Sequence, residues 1–210
     1  MVMVFAVLSI LFGASSTVAE NSSHRRLATD ILYRTSNPVN KKFYELIEKN
    51  SYQELQEFLK RGADPNVTDD SRVSPIHYAS FFGSLQALII LIEYGANITA
   101  SPYGGWSALH YATFAGHKDI VVTLLTAGTP IDQRDDGGET ALFYAVEIGN
   151  LEIVRLLVEF GALINAVNRH SKTPLDFAIQ FHHLDIEKYL ISKGAKSGRE
   201  TTPKESIQYI

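Results

Sequence analysis

Between Asn40 and Lys196 the apolar residues fall in short bursts at helical spacing, not in long runs or strict alternation. From Ser74 onward, Ile76 and Ala79 share one face of a short helix, which Gly83 ends in a left-handed conformation. A second helix is predicted from about Ser84 to Tyr94, with Leu88, Leu91 and Ile92 on one face and Gly95 closing it in the same way. The pattern then returns every 33 residues. Gly62, Gly95, Gly128, Gly161 and Gly194 keep that step, as do Ala79, Ala112, Ala145 and Ala178. Two apolar columns follow it: Ile76, Leu109, Leu142, Leu175 and Leu91, Leu124, Leu157, Leu190. A hydroxyl column, Ser74, Ser107, Thr140 and Thr173, falls where a helix N-cap is needed to accept from free backbone N–H groups. Pro75 and Pro174 follow at the first helical position, where a missing N–H costs nothing. Gly116 and Gly149 repeat the role of Gly83, and His182 stands at that place in the last unit. Helices this short are marginal alone, so each pair must bury its face on a neighbour. The expected fold class is an all-α solenoid of about five stacked helix-turn-helix units.

Ser74-Pro75-Ile76-His77-Tyr78-Ala79 resembles the ankyrin signature Thr-Pro-Leu-His-x-Ala. Ser107-Ala108-Leu109-His110-Tyr111-Ala112 matches it with Ala for Pro, Thr140-Ala141-Leu142-Phe143-Tyr144-Ala145 loses the His as well, and Thr173-Pro174-Leu175-Asp176-Phe177-Ala178 keeps Thr-Pro-Leu. The resemblance to ankyrin repeats covers roughly Asn40 to Lys196 and implies units at about 40–70, 71–103, 104–136, 137–169 and 170–196, the first a cap without the signature. It further implies that the loops between units form β-hairpin fingers and that the signature His is structural.

Met1 to Phe12 is apolar apart from Ser9, and Thr17-Val18-Ala19 precedes Glu20. This resembles a secretory signal peptide over 1–19, cleaved after Ala19, although its first residues carry no Lys or Arg. A polar linker over 20–39 and a polar tail over 197–210 complete the organisation. Arg25-Arg26-Leu27-Ala28 lacks the second Arg of a host-translocation motif of the form Arg-any-Leu-Arg.

Composition narrows the function classes. A net charge of −4 argues against a nucleic-acid binder, which needs a basic stripe to neutralise phosphates. With no cysteine, disulfides, thiolate metal sites and a cysteine nucleophile are excluded. His77 and His110 stand 33 residues apart and are read as structural, while His182-His183 with Asp185 lacks a third strong ligand and is read as a solvated face. No nucleophile or phosphate-cradling motif is present, so the chain is expected to be non-enzymatic and to use no cofactor or metal. Asn21, Asn66 and Asn97 each begin an Asn-x-Ser/Thr sequon, and the latter two are read first as turn residues.

The expected partner is another protein, bound by a monomer exported to the periplasm or the exterior, with no membrane attachment after signal cleavage. The family resemblance implies contacts from finger tips and exposed ends of first helices. Those positions hold Tyr103 and Trp106 on the fingers, Phe81, Phe82 and Phe114 on helix ends, and then Glu139, Glu147 and Ile148. The Trp106 column reads Val73, Trp106, Glu139, Lys172, and such varied types suggest a position outside the core. Trp106, Tyr103, Phe114 and Phe82 are therefore expected to form one exposed patch, with Trp106→Ala nearly neutral for stability. A secreted effector that blocks a host protein, and a periplasmic accessory protein that protects a partner enzyme, are alternatives on the same surface.

Overall fold

The computed structural model describes residues 38–102 and 104–198. Residues 1–37, Tyr103 and residues 199–210 lie outside them, and the last two residues of the expected linker, Pro38 and Val39, open the first helix. The chain divides into two compact parts, residues 1–103 and 104–210. The first holds α1 (Pro38–Glu48), α2 (Tyr52–Lys60), α3 (Pro75–Phe82) and α4 (Leu85–Glu93). The second holds α5 (Ala108–Phe114), α6 (Lys118–Thr126), α7 (Ala141–Glu147), α8 (Leu151–Glu159), α9 (Pro174–Gln180) and α10 (Leu184–Ser192). Every helix found among the described residues belongs to a helix-turn-helix pair of the expected register. Within the first part α3 packs on α1 and α4 on α2; within the second, α5, α7 and α9 form one layer and α6, α8 and α10 the other. The all-α repeat class expected from the spacing is the class observed.

The column residues form the core. Ala79, Ala112, Ala145 and Ala178 are fully buried, and their small size lets paired helices approach closely. Leu91, Leu124, Leu157 and Leu190 are equally buried, each contributing about 1.5–3 kcal/mol through loss of apolar surface to water. At the end of each second helix two backbone bonds satisfy its last carbonyls. After α6, Gly128 N donates to Leu125 O at 3.1 Å and Thr129 N to Leu124 O at 3.0 Å, which requires left-handed backbone at Gly128 (φ +92°). A Cβ there would meet no atom within 4 Å, so the cost of a side chain is conformational alone. Gly128→Val is expected to destabilise by about 1–3 kcal/mol, read as a lowered urea midpoint; an unchanged midpoint would contradict this register. His182 takes the left-handed position at the end of α9 (φ +59°), as its place in the Gly column implied.

The loops differ from expectation in one respect. No strand forms among the described residues. Three fingers are tight turns closed by one backbone bond, Asp69 N to Val73 O (3.0 Å), Asp135 N to Glu139 O (2.9 Å) and Asn168 N to Lys172 O (2.9 Å). A side chain takes the N–H groups that a longer ladder would use. Asp69 Oδ1 accepts from Ser71 N and Val73 N, Asp135 Oδ1 from Gly137 N and Glu139 N, and Asn168 Oδ1 from His170 N and Lys172 N. In the second part, adjacent fingers are joined by Asp136 N to Gly104 O and Arg169 N to Gly137 O. The close approach needs Gly105, whose Cβ would stand 2.8 Å from the Asp135 backbone.

Candidate partner-binding surface

The signature His organises the start of α3 and of α5. Ser74 N donates to His77 Nδ1 at 3.1 Å, and the Ser74 hydroxyl lies 2.8 Å from the same nitrogen. His77 Nε2 donates to Ala100 O at 3.0 Å. His110 repeats this with Ser107 N (3.1 Å), Ser107 Oγ (2.8 Å) and Glu139 O (3.3 Å). A backbone N–H can only donate, so Nδ1 must accept and each ring is held neutral. Both rings are buried, and desolvation pushes their pKa values down to about 4. They are structural, and each completes a capping box in which the cap hydroxyl also meets the ring three residues on. Asp176 does the same work in the last repeat, accepting from Thr173 N and Oγ1. Phe143 cannot, and Thr140 Oγ1 is buried without a hydrogen-bond partner.

The residue before each cap meets the aromatic column one turn into the helix. Trp106 lies 5.4 Å from Tyr111 between ring centres, 5.3 Å from Phe114 and 4.4 Å from Tyr144. Its exposure is 3% and that of Phe114 is 6%. Val73 is also buried, and Lys172 places its ammonium 6.0 Å above the Phe177 ring. Trp106 and Lys172 therefore both lie over rings of the aromatic column, as the outer residue of a hydrophobic staple does, so this place does not need one residue type. Trp106 and Phe114 do not form an exposed patch, which corrects the expectation drawn from the varied column. Glu147 is likewise withdrawn, at 4% exposure, on a helix whose whole described length is buried.

The other expected contact residues remain partly open to solvent. Phe81 and Phe82 end α3, with ring centres 5.4 Å apart, and Phe82 stands edge-on to Tyr44 at 5.6 Å. In the second part Ile148 follows α7, and Glu139 sits on the finger. Burial, with Asp135 nearby, raises the Glu139 pKa, against hydrogen bonds from Asn168 and Tyr144. Asn168 Nδ2 donates to Glu139 Oε1 at 2.9 Å. The Tyr144 hydroxyl donates to Asp135 Oδ2, and burial pushes its phenol up. Tyr103 lies outside the described residues.

His183 holds a repeat joint. Its Nε2 donates to Glu147 O at 3.1 Å, and its ring lies so close to Gly149 that a Cβ there would stand 2.7 Å from it. The described residues contain no group of three ligands suited to a metal and no helix long and apolar enough to cross a membrane.

The family model for ankyrin repeats (3 copies) matches residues 44–135 and 121–201. A segment of 42 residues is 43% identical to the potassium channel AKT1 of Arabidopsis thaliana; it is 20% of this chain and spans only 5% of that relative's length. With the family match covering about three quarters of the sequence, and with caps, glycine-closed helices and fingers all in one register, the chain belongs to the ankyrin-repeat family.

Proposed function

We propose that this chain is an exported, monomeric, non-catalytic protein that captures another protein on its finger turns and first-helix ends. Ankyrin repeats are protein-interaction modules, and among the described residues the signature histidines are engaged in folding. The observation that carries the reading is the pair Phe81 and Phe82, both partly solvent-exposed at the end of α3. Phe82 packs edge-on to Tyr44 and against Phe81, yet both rings keep part of their surface open to solvent. Adjacent aromatics open to water are typical binding anchors. Glu139 and Ile148 supply a polar and an apolar contact in the second part. Export rests on the signal-like sequence over 1–19, with a mature chain that begins at Glu20.

Affinity capture with the chain as bait tests the proposal. Phe82→Ala should weaken binding of the captured partner about 30-fold or more, roughly 2 kcal/mol, while circular dichroism stays that of the folded protein. Unchanged affinity in Phe82→Ala and in Glu139→Lys would move the site off this surface.

A further inference from the structure

Two sequons stand in described loops of the first part, Asn66-Val67-Thr68 and Asn97-Ile98-Thr99. They do not occupy equivalent places in the repeat. Asn66 falls in the column of Thr99, Asp132 and Asn165, and Asn97 in the column of Asp64. In the Asn66 column the side chain ties one repeat to the next. Asn66 Nδ2 donates to Gly95 O at 3.0 Å, and its Oδ1 accepts from Asn97 N at 2.7 Å. Asn165 makes the same pair with Gly194 O (3.2 Å) and Lys196 N (2.7 Å), and Asp132 Oδ1 accepts from Leu163 N at 2.9 Å. The Asn66 amide is thus a structural cross-tie.

Asn97 has a different environment. Both asparagines are exposed, but the Asn97 side chain bonds only within its own turn: its Oδ1 accepts from Thr99 N at 3.0 Å and Thr99 Oγ1 at 2.8 Å. Among the described residues its Nδ2 makes no hydrogen bond. We infer that Asn97 is an N-glycosylation site of the folded protein and that Asn66 is not; this rests on the exported reading. The turn holds the sequon hydroxyl against the Asn97 amide oxygen and leaves the nucleophilic nitrogen unbonded on an exposed loop, where an acceptor sequon is accessible. The donor is a polyprenyl-diphosphate-linked oligosaccharide. Asn97 Nδ2 bonds to C1 of the first sugar, the C1–O bond to the diphosphate breaks, polyprenyl diphosphate leaves, and one amide proton passes to a carboxylate of the transferase. At Asn66 the same bond would set a sugar where the nitrogen meets Gly95 O. A chain modified there before folding keeps one N–H but must refit the cross-tie around the sugar, and is depleted from the folded, secreted pool. Because α3 and α4 reverse at Gly83, Asn97 lies at the opposite end of the helix pair from Phe81 and Phe82. The glycan therefore leaves those rings open.

The test expresses the full chain in eukaryotic cells twice, once with its own leader and once with an added secretory signal, and measures occupancy of each sequon in the secreted protein by glycopeptide mass spectrometry. With the added signal, Asn97 should be occupied in most molecules and Asn66 in few, and Asn97→Gln should lose the glycan assigned to this loop. An unmodified Asn97, or Asn66 occupied as fully as Asn97, would overturn the inference. If the chain with its own leader stays in the cytosol while the added-signal form carries the Asn97 glycan, the site stands and the exported reading fails.

Discussion

Trp106→Ala is expected to destabilise the protein by about 3–5 kcal/mol, the range for removing a large aromatic from a core that cannot collapse around the void. Its indole is all but excluded from water and touches Tyr111, Phe114 and Tyr144, so truncation removes its own burial and leaves three other rings facing a cavity. Tyr144 is also the donor to Asp135 that braces the finger, so loss of the indole should loosen the turn over 135–139 as well. Trp106→Phe, which keeps a ring over Tyr111, should recover part of the loss. The check is a urea titration followed by circular dichroism. A midpoint within error of the wild type would show that Trp106 is dispensable for folding and would return it to the candidate contact residues.

Acidification gives the second large effect, and its sign follows from the two buried histidines. In the unfolded chain each imidazole takes up a proton near pH 6.5; in the folded chain neither does until about pH 4. Between those values the unfolded state binds more protons, so stability is full above about pH 6.5 and falls as the pH drops towards 4. The slope can reach roughly 1.4 kcal/mol per pH unit for each histidine, a total on the order of several kcal/mol for the pair. Asp69 and Glu139 oppose this, because burial raises both carboxyls and they bind protons more readily folded than unfolded, which adds stability in acid. The histidines act first, since their window opens at higher pH. Urea midpoints measured from pH 7.5 to 4.5 should decline below pH 6.5, with close to two protons taken up on unfolding near pH 5. A flat profile would mean that His77 and His110 are not held neutral.

The fold was legible because its physics is periodic. Gly128 had to be left-handed wherever a second helix ends, and the four wholly buried alanines keep the same step, so spacing alone located both. The binding surface is less legible, because a column that varies in residue type need not be exposed. The Val73, Trp106, Glu139, Lys172 column varies, yet Trp106 and Lys172 both lie over the ring one turn into the next helix, and Val73 is buried. That relation between the residue before the cap and the fourth helical residue is readable in the sequence and would have placed Trp106 correctly. The fingers depart from hairpins for a local reason: Asp69, Asp135 and Asn168 close their turns with side chains, leaving too few N–H groups for strand pairing. Which face meets a partner follows from no periodic rule, since it is set by the partner's shape.

The most direct measurement of the central claim is the hydrogen–deuterium exchange footprint of a captured partner on the intact chain. Binding through the finger and first-helix surface predicts new protection at residues 69–73 and 81–83 in the first part, or at 135–139 and 147–149 in the second, with the second helices unchanged. Protection confined to α2, α4, α6, α8 or α10 would contradict it.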